Sequence, residues 1–121
     1  MRARWVVGVI VAFVGLTGIA SAADPLEVAP EMYSKNFEND RVRVMTVTFA
    51  PGQSIPEHSH PDHFVYVLEA GSLKITKSTG EVSEVSPKVG DVLWIPAETH
   101  SAINTGTTTA KFLVVELKPQ T

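Results

Sequence analysis

Beyond residue 23 no stretch of this chain sustains a 3.6-residue apolar period. Short β-prone runs are instead cut by Pro and Gly at close intervals. Val42, Val44, Met45, Val47, Thr48 and Phe49 form one such run, which Pro51-Gly52 ends. Phe64–Leu68 stops at Ala70-Gly71, and Ser72–Thr76 alternates polar with apolar up to the hairpin signal Ser78-Thr79-Gly80-Glu81. Val82 and Val85 continue towards Pro87. Val92–Ile95 is closed by Pro96, Ser101–Ile103 precedes the turn at Asn104-Thr105-Gly106, and Phe112–Leu117 comes last. Seven or eight short strands so closely punctuated predict an all-β sandwich or barrel. With 121 residues the chain holds one domain.

The first 23 residues read differently. Arg2 and Arg4 give a positive start, Trp5 to Ala23 carries no charge, and Ala20-Ser21-Ala22 fits the small-x-small pattern of signal peptidase sites. Residues 1–23 are therefore expected to be a signal peptide cut near Ala22 or Ala23, delivering an exported, periplasmic or secreted protein. The competing reading is a retained membrane anchor, since the 19 uncharged residues approach the ~20 that span a bilayer. Residues 24–40, with Pro25 and Pro30, read as an N-terminal arm or edge strand, and residues 41–118 as the barrel. An exposed edge beside an apolar face makes a homodimer a further expectation.

The whole chain carries 10 basic and 13 acidic residues; without Arg2 and Arg4 the net charge is -5. That balance argues against nucleic acid, and against a membrane surface once the signal is removed. The absence of cysteine excludes disulfides and thiolate chemistry.

All four histidines fall in two segments, His58-Ser59-His60-Pro61-Asp62-His63 and Pro96-Ala97-Glu98-Thr99-His100. Imidazoles at i and i+2 on a strand share a face, and neutral imidazole binds first-row divalent metals well. The cluster reads as a site for one divalent ion, with Fe, Ni, Mn, Cu and Zn all compatible. Because only neutral imidazole binds, affinity is expected to fall as pH drops through about 6.5.

These segments resemble the two signature motifs of the cupin superfamily of small jelly-roll β-barrels. Gly52, five residues, then His58-Ser59-His60 match the first; Gly90, five residues, Pro96, His100 and Asn104 match the second. The resemblance runs over about residues 42–117 and implies a cupin-type double-stranded β-helix with His58, His60 and His100 as metal ligands. Two departures stand out. Glu98 occupies the place of the second motif's Gly. The family's Glu ligand falls on Phe64 when counted back from Gly71, or on His63 when anchored on Tyr66–Glu69; the second register adds His63 to the ligand set.

Phe49, Phe64, Tyr66, Val67, Trp94, Ile95 and Phe112 read as barrel core or pocket lining, with Phe64, Tyr66, Trp94 and Glu98 as candidate substrate-pocket residues. Arg41 and Arg43 read as a solvated strand face. The resemblance implies a metal-dependent reaction, oxidative first among dioxygenase-like, isomerase and lyase chemistries. A His-only ligand set keeps the metal's full charge, so the expected substrate is a small anionic or chelating molecule. The alternatives are a non-catalytic module holding metal or a small ligand, and a purely structural metal site. No catalytic residue is singled out by the sequence.

Overall fold

The computed structural model describes residues 23–120, so the signal-peptide or anchor segment lies outside the described residues. A single helical turn, α1 (Pro25–Val28), opens the described chain, and nine strands follow. They are β1 (Tyr33–Glu38), β2 (Val42–Phe49), β3 (Ser54–His60), β4 (His63–Glu69), β5 (Leu73–Lys77), β6 (Val82–Val85), β7 (Val92–Ile95), β8 (Glu98–Asn104) and β9 (Ala110–Leu117). β1-β2-β9-β4-β7 form one sheet and β3-β8-β5-β6 the other, with every pairing among the described residues antiparallel. The two sheets enclose the core, giving the double-stranded β-helix.

β2 and β9 dominate that core because both follow period two along their length. Met45, Val47 and Phe49 on one strand and Phe112 and Val114 on the other are buried, with half-exposed residues between them. Gly52 and Gly90 sit at positive φ, 81° and 91°, where a side chain would be strained and a turn needs the freedom. Gly71 answers to a different constraint: a Cβ built there would stand 2.5 Å from Ala110 Cβ.

Three elements carry little signal in the sequence. α1 is too short to show periodicity; it forms because Asp24 caps it, accepting from Leu26 N at 2.8 Å, with Pro25 in its first turn. β1 is a polar edge strand in which only Tyr33 is buried, so it carries no alternating signal. β3 contains Pro56, and its ladder to β8 slips between Ile55 and His58, where Pro56 cannot donate.

Period two also corrects the pocket assignment. On β4, His63, Val65 and Val67 point inwards, so Phe64 and Tyr66 point outwards, and Phe64 pairs with Trp94 of β7. Trp94 is 56% exposed and Tyr66 37%, on the outer face of the five-stranded sheet. None of these three lines the interior.

Candidate metal centre

β3 and β8 run antiparallel with His58 opposite His100 and His60 opposite Glu98. His58 and His60 share the inner face of β3, and the cross-strand pair brings His100 against them. His63 enters from the other sheet, three residues after His60, at the start of β4. All four histidines are buried. The ligand atoms of His58, His60 and His100 lie within 4.8 Å of one another. The His63 ring stacks on His60, with centroids 4.4 Å apart. His63 therefore belongs to the cluster in space but stands outside the tight triplet.

Each imidazole is oriented by an acceptor at Nδ1. His58 donates to Pro56 O and His63 to Pro61 O, both at 2.8 Å. His60 donates to Glu116 Oε2 at 2.7 Å, and His100 to Glu98 Oε2 at 2.6 Å. A carbonyl oxygen or a carboxylate can only accept, so the proton sits on Nδ1 and the Nε2 lone pair is left free in every ring. Two prolines two residues ahead of a histidine supply two of these acceptors. Glu98, on the same strand as His100, and Glu116, on β9 of the other sheet from His60, supply the others.

Burial reinforces this tautomeric order. It pushes His58 and His63 down to about 4, with the neighbouring imidazoles adding to the effect. His100 is lowered as well, because burial outweighs the bond from Glu98. These imidazoles thus stay neutral well below the usual histidine range. A set of neutral, Nε2-free imidazoles converging on one point fits a divalent cation. His58, His60 and His100 would hold it, with His63 beside them.

Behind His60 stands a chain of charges that the sequence did not announce. Glu116 is 4% exposed, and its second oxygen accepts from Arg43 Nε at 3.0 Å and lies 2.9 Å from Arg43 NH2. Arg43 in turn makes a fork to Asp24, at 2.8 and 3.1 Å. Arg43 is therefore not part of a solvated strand face; it ties Asp24, the cap of α1, to the candidate metal centre. Long sequence separation hid this relationship, because β2 and β9 become neighbours only on folding.

Glu98, a candidate pocket residue, holds His100 and approaches Lys77 at 3.7 Å rather than lining the cavity. Asn104, the last residue of the second motif, is structural. Its side chain donates to Phe49 O and Thr108 O and accepts from Gly106 N, closing the end of β8.

The four imidazoles form one wall of an interior cavity of about 80 Å³. The remaining lining is apolar, with Val47, Phe49, Val65, Ile95 and Phe112 among its residues, apart from the hydroxyl of Tyr33. No Asp, Glu, Lys or Arg is among the lining residues. Tyr33 is buried, and burial together with Glu116 raises its hydroxyl well above the usual tyrosine range, so it remains a donor. The sequence reading places Tyr66 among the candidate pocket residues. The residue actually there is Tyr33, from the edge strand that carried no pattern.

The family model described as a cupin domain matches residues 45–116, which includes both histidine segments. The chain belongs to the cupin family. No curated protein matches this cupin. Among solved structures it is similar to a cupin domain from Bordetella pertussis, at 26% identity over 73% of this chain and 93% of that one, with a TM-score of 0.67. It is also similar to a predicted oxalate decarboxylase from Thermotoga maritima, at 25% identity over 72% and 79% of the two chains, TM-score 0.55. The polyketide cyclase RemF from Streptomyces resistomycificus shares 30% identity over 72% of this chain and 64% of its own, TM-score 0.55.

Proposed function

We propose that this cupin is an exported enzyme that binds one divalent metal and carries out an oxidative reaction on a small oxygen-bearing molecule. The observation behind this reading is the convergence of neutral, Nε2-free imidazoles on one wall of an apolar cavity. When bound, a metal supplies a concentrated positive charge that polarises a ligand oxygen. The protein's own part is to keep His58 and His100 neutral, to aim all three rings through their Nδ1 bonds, and to surround the reacting group with apolar walls. Similarity to a predicted oxalate decarboxylase and to a polyketide cyclase supports small-molecule chemistry without choosing the reaction.

Imidazole accepts Fe, Ni, Mn, Cu and Zn, so analysis of metal in the natively purified protein must identify the ion. The activity test supplies each ion in turn to the apoprotein and screens small acids, hydroxyketones and phenols for product or oxygen uptake. Metal-dependent turnover that disappears in His58→Ala is the expected result. One observation favours a second reading, a non-catalytic binding module. Among the described residues, Tyr33 apart, the histidines are the only side chains lining the cavity that could act as a general base. That reading predicts tight ligand capture with no turnover under any of the five metals.

A further inference from the structure

Tyr33 is buried beside the candidate metal centre, and among the described residues nothing pairs with its hydroxyl. Its ring centroid lies 6.3 Å from that of His58 and 6.5 Å from that of His60, so the side chain stands at the imidazole end of the cavity it lines. Tyr33 is only 7% exposed, yet its hydroxyl has no hydrogen-bond partner among the described residues. The nearby charged groups are already engaged. Both oxygens of Glu116 are taken, one by Arg43 and one by His60, and Arg43 is shared between Glu116 and Asp24. A buried hydroxyl left unpaired is costly, and pairing with an occupant of the cavity removes that cost.

The rest of the lining restricts what the occupant is. A small dianion would place its second charge among Val47, Val65, Ile95 and Phe112 with no cationic side chain to meet it. The body of the occupant must therefore be apolar.

We propose that Tyr33 is a ligand-selecting residue. It donates its hydroxyl to one oxygen of a compact apolar molecule whose second oxygen faces the imidazole wall, so that hydroxyketone-type ligands are preferred over small dicarboxylates. This rests on the metal-site reading above and narrows its substrate class from small oxygen-bearing molecules to apolar ones carrying two oxygens.

The test compares wild type with Tyr33→Phe, which keeps the ring and removes only the hydroxyl. Both are loaded with Co(II), and the binding of maltol, a hydroxyketone, and of oxalate is followed through the Co(II) absorption spectrum. Wild type should bind maltol more tightly than oxalate. Tyr33→Phe should bind Co(II) within about twofold of wild type but lose roughly fivefold to tenfold in maltol affinity, the size of one neutral hydrogen bond. The metal-free variant should melt no lower than wild type, since the hydroxyl has no protein partner to lose. Unchanged maltol affinity in Tyr33→Phe, tighter oxalate than maltol binding in wild type, or a clear drop in melting temperature would each overturn the proposal. Failure of wild type to retain Co(II) would instead sink the metal-site reading on which it rests.

Discussion

His60 donates Nδ1 to Glu116 Oε2 at 2.7 Å, and this bond joins two strands 56 positions apart in the sequence and in opposite sheets. It fixes the tautomer of a ring in the centre of the site. Through Arg43 and Asp24 it also anchors the α1 turn.

Glu116→Gln should therefore weaken metal binding although Glu116 is not itself a ligand. Removal of such an outer partner typically costs about 10- to 100-fold in affinity. Competition titration with a chromophoric chelator measures it. An affinity equal to that of wild type would show that the Arg43–Glu116 pair serves the fold alone.

His58→Ala and His100→Ala should abolish stoichiometric metal binding, because each removes one of three converging donors. His63→Ala separates the two ligand registers. A loss confined to a few-fold would leave the triplet as the complete protein ligand set, whereas a loss comparable to His58→Ala would make His63 a fourth ligand. Metal analysis after desalting reads all three variants.

Acid should destabilise the metal-free protein in a defined window. In the unfolded chain the imidazoles take up protons near about 6.5. In the folded chain His58 and His63 resist until about 4, because burial favours their neutral form. Between these values the unfolded state binds more protons, so stability is full above the upper value, declines as pH falls towards the lower one, and then levels off. Urea midpoints measured at neutral pH and at steps down to about 4 should trace that decline; a constant midpoint would contradict it. For the same reason acid release of metal should begin below the pH of about 6.5 that free imidazole would suggest.

Gly71→Ala should destabilise the barrel by about 1–3 kcal/mol, the usual cost of forcing a methyl group into filled space. The new Cβ would meet Ala110 Cβ at 2.5 Å, and Ala110 is fully buried on the central strand β9. Thermal or urea unfolding checks this. Gly71→Ala combined with Ala110→Gly should recover much of the loss if that contact is the cause.

The sequence by itself determined the all-β class, the positions of most strands and the residues of the site. Turn signals and period-two runs are local, and two short histidine segments with motif spacing can be read without knowing what they pack against. The tertiary structure decided everything that depends on strands meeting. It turned His63 inwards and Phe64, Tyr66 and Trp94 outwards, since one step along a strand reverses the face. It revealed β3, whose proline-containing sequence forms a strand only because a neighbour pairs with it. It moved Arg43 from a solvated face into a buried ion pair with Glu116 and brought Tyr33 beside His58 and His60. Residues 33, 43, 60 and 116 are far apart along the chain, and only closure of the two sheets makes them neighbours.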